Sequence, residues 1–364
     1  MTAWTGPKLR VGTIGCGRMG AQTAPAMARH APAHLRVLSH LEAVRSLGMA
    51  SELAACDVSA DALDRARQAY DLDYTTSDYN ALITDFRPDL LTVATRTPEK
   101  TVILEAAVRA GVRAVHVEKP LCNSAAELEQ VEALLDAGDL LLTSGCLRRY
   151  LPAYAGLDTM FSEQGLGVPT SVTMGMGLAP LMWTQFHAID LILFLAGDRQ
   201  LAAVQATLGP VEWDHAGKVV ENDPLVMSAT LIFDDGFTGL IGQSSGNTTI
   251  VSAPAGQVEL FADGRSVFIG KRLQEDDPYL TKHAVDLHLG QLSGSQAPIW
   301  ALARALQGEE SAIRQVSNAG RDFIRAQLVA LAFVESDRQG GRRIDMRGFT
   351  TDLTILGRTG GRFA

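Results

Sequence analysis

The sequence has no apolar run of membrane-spanning length and no long run of lysine or arginine. Proteins that follow a phosphate backbone need clustered basic side chains, whereas the formal net charge here is −9. The first ten residues contain neither an apolar signal core nor a twin arginine. We therefore expect a cytoplasmic protein that binds neither membranes nor nucleic acid.

Cysteine is scarce, and no two cysteines have the C-x-x-C spacing of a structural zinc site. Without an export signal, disulfide bonds are disfavoured because reducing compartments keep thiols free. We predict no metal site, and we predict that the cysteines are small buried side chains: Cys16, Cys56, Cys122 and Cys146.

The length of 364 residues exceeds what one hydrophobic core usually serves. With 46% hydrophobic and 20% charged residues, the composition is that of a globular protein. The sequence pattern changes near the middle of the chain. We predict a nucleotide-binding domain at 1–148 and a domain for substrate binding and oligomerisation at 149–364.

The first domain alternates β-rich runs with helical stretches, which is typical of a parallel sheet with crossover helices. The predicted strands are Leu9 to Ile14, Glu52 to Asp57, Leu90 to Ala94, Ala114 to Glu118 and Leu140 to Ser144. The predicted helices are Asp61 to Tyr70, Thr101 to Ala110 and Ser124 to Ala137. This order predicts an α/β, Rossmann-type, doubly wound domain.

The interval between Gly20 and the end of the second predicted strand at Asp57 is almost twice the usual length of about 20 residues. The excess lies around His30 to Met49 and contains a helix-like stretch, Ser39 to Leu47. We interpret it as an insertion of unknown purpose.

The second domain is rich in alternating β-branched runs separated by turns such as Asp234-Asp235-Gly236. We predict an α+β domain with a mostly antiparallel open sheet. The predicted strands are Thr170 to Met176, Leu201 to Leu208, Val226 to Phe233, Phe237 to Gln243, Gln257 to Phe261 and Arg265 to Ile269. The predicted helices are Phe186 to Leu195, Ala297 to Leu306 and Ala319 to Glu335.

A glycine fingerprint follows the first predicted strand directly and opens a helix: Gly15, Cys16, Gly17, Arg18, Met19 and Gly20. The first glycine permits a tight turn, the second lets backbone approach a pyrophosphate, and the third allows close packing. The helix N-terminus would offer N–H donors to phosphate. A purely structural glycine turn is the alternative.

Asp57 ends the second predicted strand, where a carboxylate can accept hydrogen bonds from the adenosine ribose and repel a 2′-phosphate. We therefore expect NAD, with NADP less favoured. Capping of the following turn is the alternative role of Asp57.

Glu118-Lys119-Pro120 ends another parallel strand, at the edge where open α/β sheets bind ligands. The ammonium group of Lys119 could hydrogen-bond a substrate hydroxyl or keto oxygen and exchange a proton with it. An exposed structural lysine is the alternative.

Together with the fingerprint, this tripeptide resembles the Gfo/Idh/MocA family, named after glucose-fructose oxidoreductase and inositol dehydrogenase. Ala94-Thr95, Ala110-Gly111-Val112 and the segment from Gly145 to Tyr154 add to the resemblance. It implies that Lys119 is catalytic and that Thr95 and Glu118 join the cofactor site.

The resemblance also implies a D-x-G-x-H-x-x-D helix in the second domain, which here runs from Trp183 to Asp190. His187 matches the family histidine and would exchange the substrate proton. The first aspartate is replaced by Trp183 and the glycine by Gln185, so the usual carboxylate partner of the histidine is missing.

Five further residues are candidate substrate contacts: Arg148, Arg149, Tyr150, Trp183 and Asp190. Arginines could bind hydroxyls or a carboxylate, and the tryptophan could form an apolar platform for a sugar ring. Asp190 could orient His187 because both can project from one helical face. Salt bridges, a solvated basic face and ordinary core packing are the alternatives.

These residues predict an oxidoreductase that transfers hydride between NAD(H) and a secondary alcohol or ketone of a sugar, glycoside or cyclitol. An NAD-recycling glycoside-cleaving enzyme and a non-catalytic dinucleotide-binding protein are the alternatives. The open sheet has a face that must be covered, so we expect a homodimer or homotetramer.

Overall fold

The computed structural model of the chain describes residues 4–23, 25–138, 140–274, 277–286 and 290–358. The strands of the N-terminal half are β1 (Leu9–Ile14), β2 (Ala50–Cys56), β3 (Tyr74–Thr76), β4 (Leu90–Val93), β5 (Ala114–Val117) and β6 (Leu141–Ser144). Its α-helices are α1 (Pro25–His30), α2 (His40–Leu47), α3 (Ala60–Ala69), α4 (Tyr79–Ala81), α5 (Thr97–Arg109) and α6 (Ala125–Asp136).

These six strands form one fully parallel sheet with the order β3-β2-β1-β4-β5-β6. Every residue of β4 and β5 is buried, as expected for central strands covered on both faces. Local capping supports the crossovers, since the Ser59 side chain accepts a hydrogen bond from the Ala62 N–H at the start of α3. The predicted doubly wound sheet is confirmed.

In the C-terminal half, the helices are α7 (Pro152–Ala155), α8 (Leu157–Glu163), α9 (Phe186–Ala196), α10 (Gln296–Leu306) and α11 (Glu310–Arg338). The strands are β7 (Ser171–Gly175), β8 (Ala179–Pro180), β9 (Leu201–Leu208), β10 (Val219–Asn222), β11 (Leu225–Phe233), β12 (Thr238–Gly242), β13 (Thr248–Ala253), β14 (Gly256–Phe261), β15 (Ser266–Lys271), β16 (Thr281–Val285), β17 (Ile344–Asp345) and β18 (Thr354–Arg358).

The large second sheet has the order β16-β15-β14-β13-β7-β12-β11-β9-β17, and β8 pairs with β11. Its strand pairs are antiparallel except that β7 and β12 run parallel. A separate parallel pair joins β10 and β18. The predicted, mostly antiparallel sheet is confirmed.

The chain forms two compact units. Unit 1 contains 1–122, 126–147 and 290–324, and unit 2 contains 123–125, 148–289 and 325–364. Segment 290–324 thus packs with unit 1, where α10 lies against α2, β5 and β6. The predicted division into 1–148 and 149–364 stays a prediction.

Within the described residues, no helix combines the length and apolarity needed to cross a membrane.

The fingerprint does not open a helix directly, which corrects the sequence-based expectation. Backbone N–H groups of Ala21 and Gln22 both donate to the Gly17 carbonyl in a turn, and α1 begins only at Pro25. A proline has no N–H to continue the helical hydrogen bonds and is suited to a first helical position.

The predicted helix in the insertion is confirmed as α2, and it packs on the glycine turn. The backbone N–H groups of His40 and Leu41, at the start of α2, donate to the carbonyls of Met19 and Gly20 at 2.7 and 2.9 Å. The insertion therefore supplies hydrogen-bond donors to carbonyl groups of the turn. In a continuous helix these carbonyls would accept from backbone N–H groups of the next turn.

Candidate functional site

The register of the parallel sheet places several predicted site residues at one edge. Ile14 pairs with Cys56 and with Val93, and Val93 pairs with Val117. The residues that follow these strand ends, among them Gly15 and Asp57, therefore meet at the carboxyl edge of the sheet. Ligands of open α/β sheets bind at this edge.

The three glycines of the fingerprint have different surroundings. Gly15 has a φ of 92°, and a Cβ there would lie 2.7 Å from the Ala94 backbone. A Cβ on Gly20 would overlap the Gly15 carbonyl oxygen. By contrast, a Cβ built on Gly17 has no atom of the described residues within 4 Å, apart from its two chain neighbours. The first and third glycines close the turn, while the second leaves its outer side open to a ligand.

The Asp57 carboxylate stabilises the glycine turn through backbone hydrogen bonds. One carboxylate oxygen accepts a hydrogen bond from the Cys16 N–H at 2.6 Å, and the other accepts from the Ser59 N–H at 2.8 Å. Burial, followed by the nearby charge of Asp57, raises the pKa of the Cys16 thiol to about 12. Asp57 is half-buried, and its two hydrogen bonds stabilise the backbone on both sides of it.

Lys119 lies in a turn whose two flanking carbonyls are bound by one buried lysine. Lys100, in the first turns of α5, donates to the carbonyls of Glu118 and Pro120 at 2.6 Å each. Only 2% of Lys100 is exposed, and this burial lowers the pKa of its ammonium group to about 7. Lys100 was not predicted from the sequence, because a lysine inside a helix carries no signal of burial.

The Glu118 side chain turns into the domain. Its carboxylate lies 3.3 Å from His40 Nε2 and fills the space that a Cβ on Gly145 would need. Although burial opposes ionisation, the hydrogen bond from His40 and the surrounding histidine and lysine charges lower the pKa of Glu118 to about 2. Burial lowers the pKa of the neighbouring His116 to about 3.

Thr95 is half-buried, and its hydroxyl donates to the Arg96 carbonyl at 3.1 Å.

In unit 2, His187 lies near the start of α9 and is half-buried. The preceding turn is held by Asp223, whose carboxylate accepts from the backbone N–H groups of Met182 and Trp183 at 2.8 and 3.0 Å. Trp183 is half-buried, whereas Gln185 is fully buried and donates to the Gly177 carbonyl at 2.8 Å. Asp223 was missed because nothing in the sequence links it to this turn.

Asp190 is held by Arg149 in a buried ion pair. Arg149 donates to both carboxylate oxygens of Asp190, at 2.7 and 3.1 Å, and to its carbonyl at 3.2 Å. This pair ties the segment after β6 to α9. Both carboxylate oxygens of Asp190 accept hydrogen bonds from Arg149.

Arg148 forms a second bidentate pair, with Asp263, at 2.6 and 3.2 Å. Asp263 also accepts from the Asn247 amide at 3.0 Å. Tyr150 lies in the same short helical segment, Leu147–Tyr150, and is half-buried. The two arginines thus hold unit 2 together internally, and the substrate roles of all five candidates stay predictions.

The parallel sheet order and the glycine turn at its carboxyl edge define an α/β dinucleotide-binding protein. Residues 9–145 match the model of an oxidoreductase family with an NAD-binding Rossmann fold, GFO_IDH_MocA. Over this domain the chain is similar to that family, which confirms the resemblance stated from the sequence.

Among curated relatives, the chain is similar to inositol 2-dehydrogenase 2 of Saccharopolyspora erythraea. The two are 30% identical over 213 residues, which cover 55% of this chain and 57% of the relative. The chain therefore spans little more than half the length of this relative.

Solved structures extend the similarity of the fold to nearly the whole chain. An aldose-aldose oxidoreductase from Caulobacter crescentus, complexed with glycerol, matches with a TM-score of 0.68 at 18% identity, covering 93% of this chain and all of the other. A levoglucosan dehydrogenase in complex with NADH and L-sorbose matches with a TM-score of 0.67 at 18% identity, covering 93% and 99%.

Proposed function

We propose that the protein transfers hydride between NAD(H) and a secondary alcohol or ketone of a sugar, glycoside or cyclitol. The observation that carries the proposal is the carboxyl edge of the parallel sheet. There the glycine turn with its open second position follows β1, the Asp57 carboxylate follows β2, and the Lys119 turn follows β5. The inositol dehydrogenase among its relatives supports a polyol-like substrate.

The residues present fit a dinucleotide. The open space at Gly17 suits a pyrophosphate, and the backbone N–H groups of the turn are its natural donors. The Asp57 carboxylate would accept from ribose hydroxyls and repel the 2′-phosphate of NADP, so we propose NAD. Thr95 would lie beside the cofactor at the start of α5. When bound, the nicotinamide supplies the hydride acceptor or donor.

Proton transfer falls to Lys119 and His187 in this proposal. Lys119 would orient and polarise the substrate oxygen, and His187 would take its proton during oxidation and return it during reduction. Asp190, three residues after His187 on the same helix, is bound by Arg149.

The first test is a fluorescence titration of the purified chain with NADH and NADPH, scored by energy transfer from protein tryptophans. We expect tight NADH binding and weaker NADPH binding in the wild type, and a smaller preference in Asp57→Ala. Asp57→Asn is the matched control, since it removes the charge but keeps an oxygen acceptor for the Cys16 N–H. Failure of the folded wild type to bind either nucleotide would refute the proposal.

The second test is turnover. In a screen of polyols, glycosides and cyclitols, we expect the wild type to reduce NAD with at least one of them. Lys119→Ala and His187→Ala should lower the rate by about 100-fold or more while leaving NADH binding intact. Retention of full activity by either variant would remove that residue from the mechanism.

Trp183, at the position of the family aspartate, favours one alternative function. Its side chain suits an aglycone or sugar ring better than a free polyol. An NAD-recycling glycoside-cleaving enzyme would oxidise the ring transiently, eliminate the aglycone and reduce the ring again. Aglycone release without NADH accumulation would identify this reaction, whereas stoichiometric NADH formation would identify the dehydrogenase.

We also propose a homo-oligomer that covers the outer face of the large sheet. The inner face packs against α9, where a Cβ on Gly239 would meet Ile192. On the opposite face, cross-strand neighbours Leu240, Thr173 and Ile250 are exposed or half-buried. Light scattering should show a dimer or tetramer that Leu240→Glu dissociates and the exposed control Val58→Glu does not. A monomeric wild type would exclude this assembly.

A further inference from the structure

Three buried side chains meet beneath the Lys119 turn: His40 at the start of α2, His116 in β5, and Glu118 directly after β5. One ligand atom from each residue lies within 4.8 Å of the other two. The His40 and His116 rings pack edge to face with centroids 4.7 Å apart, and His40 Nε2 lies 3.3 Å from the Glu118 carboxylate. All three side chains lie inside unit 1 and are buried.

The cluster has more polar atoms than protein partners. His116 Nδ1 is hydrogen-bonded to the Thr143 hydroxyl at 3.0 Å, but His116 Nε2 has no hydrogen-bond partner within the described residues. His40 Nδ1 is likewise buried without a described partner. Buried ring nitrogens are almost always satisfied, because leaving them unpaired forfeits their hydration. The two atoms therefore point to a bound species that the polypeptide does not supply.

We propose that His40, His116 and Glu118 bind one divalent metal ion of the Zn²⁺ class. Two imidazoles and one carboxylate are ligands that zinc accepts, with water in the fourth position. Three atoms that are mutually within 4.8 Å share a point at most about 2.8 Å (4.8/√3) from each. Zinc–nitrogen bonds of about 2.0–2.1 Å then require side-chain shifts below 1 Å.

The hydrogen bond to Thr143 supports this assignment. A metal-binding histidine usually gives its second ring nitrogen to an oxygen partner, which fixes the ring and leaves the other nitrogen for the metal. His116 shows this arrangement, since Nδ1 is hydrogen-bonded to the Thr143 hydroxyl and Nε2 is buried without a described partner. The absence of C-x-x-C spacing in the sequence does not exclude such a site, because its ligands are distant in sequence. For example, 78 positions separate His40 from Glu118.

The metal ion would join the insertion to the strand that carries the Lys119 turn. His40 belongs to α2, which the insertion supplies, whereas His116 lies in β5 and Glu118 directly follows it. This gives the insertion a structural purpose that does not depend on the identity of the substrate. The proposal also assigns the Glu118 carboxylate to the metal ion and not to the cofactor.

The test uses the full chain after removal of bound metal with a chelator. The protein is titrated with Zn²⁺ or Co²⁺ in a calorimeter, and its metal content is measured by elemental analysis after dialysis. We expect one equivalent of metal per chain. His116→Leu and Glu118→Gln should each lower the affinity by about tenfold or more. His283→Gln, at an exposed histidine in β16, is the matched control and should leave the stoichiometry unchanged.

Wild-type protein that retains less than stoichiometric metal would overturn the proposal, whatever the variants do. Metal binding that persists in both His116→Leu and Glu118→Gln would also overturn it, because the ion would then bind elsewhere. Circular dichroism and NADH titration of each variant report folding and cofactor binding separately. A failure of the metal site is thus distinguishable from a failure of the proposed oxidoreductase function.

Discussion

At the scale of single residues, Lys100 shows how one buried side chain can hold a reactive turn. Its ammonium group bonds the carbonyls on both sides of Lys119. Lys100→Met keeps the length of the side chain but removes both hydrogen bonds, so the turn can shift. We expect kcat to fall by about 100-fold, since small misplacements of catalytic groups have effects of this size.

NADH affinity should change little in Lys100→Met, because the glycine turn is untouched. Steady-state kinetics and NADH titration measure the two effects separately. Lys8→Met, which removes an exposed lysine bonded to the Gly48 carbonyl, is the control and should behave as wild type. A parallel loss of NADH binding in Lys100→Met would show that Lys100 supports the whole edge and not the Lys119 turn alone.

Gly17 gives a second prediction at this scale. Beyond its chain neighbours, a methyl group on Gly17 meets no atom of the described residues, so Gly17→Ala should fold with the wild-type midpoint of thermal unfolding. The methyl group would occupy the space proposed for the pyrophosphate, and NADH affinity should fall at least tenfold. Gly242→Ala in β12, where a Cβ also meets open space, is the control. Unchanged NADH binding in Gly17→Ala would place the cofactor elsewhere.

At the scale of secondary-structure elements, the Arg149–Asp190 pair joins the segment after β6 to α9. Arg149 is 5% exposed and Asp190 is 1% exposed. Arg149→Met leaves a buried carboxylate without its cation, and we expect the free energy of unfolding to fall by about 3–5 kcal/mol.

Denaturant unfolding measures this loss. Arg347→Met breaks an exposed pair with Asp345 and should lower the free energy of unfolding far less than Arg149→Met does, because solvent screens the exposed charges. The double variant Arg149→Met, Asp190→Leu should be more stable than Arg149→Met alone, because it buries no unpaired charge. An equal loss in the single and double variants would contradict this account.

At the scale of the whole molecule, all four cysteines are buried, as predicted from the sequence. Burial raises the pKa values of Cys16 and Cys56 to about 12. A thiol reagent at pH 8 should therefore find no fast-reacting cysteine in the native protein and four after unfolding. A rapid native reaction would show that this part of unit 1 opens readily.

The same two thiols predict an alkaline limit to stability. Their folded pKa values lie above the ordinary value of 9.0, so the unfolded chain releases these protons first as the pH rises. Their contribution is fully present below pH 9 and should be lost as the pH rises toward 12. Denaturant unfolding at several pH values tests this. Cys56→Ala should show a shallower decline above pH 9.

The sequence by itself determined the sheet architecture and the two local motifs. β1 is predicted with its observed ends, and β4 and β5 each end one residue earlier than predicted, because buried parallel strands are continuous apolar runs bounded by turn residues. The glycine fingerprint and Glu118-Lys119-Pro120 are readable for the same reason, since each is a short segment whose chemistry depends on adjacent residues.

Only the tertiary structure decided which distant residues meet. His40 reaches Glu118, Lys100 reaches the Lys119 turn, and Arg149 takes Asp190, although no spacing in the sequence indicates these contacts. Short strands such as β3 and β17 were also missed, because their pairing partners define them more than their own residues do. Local patterns depend on neighbouring residues along the chain, whereas these contacts depend on how the elements pack.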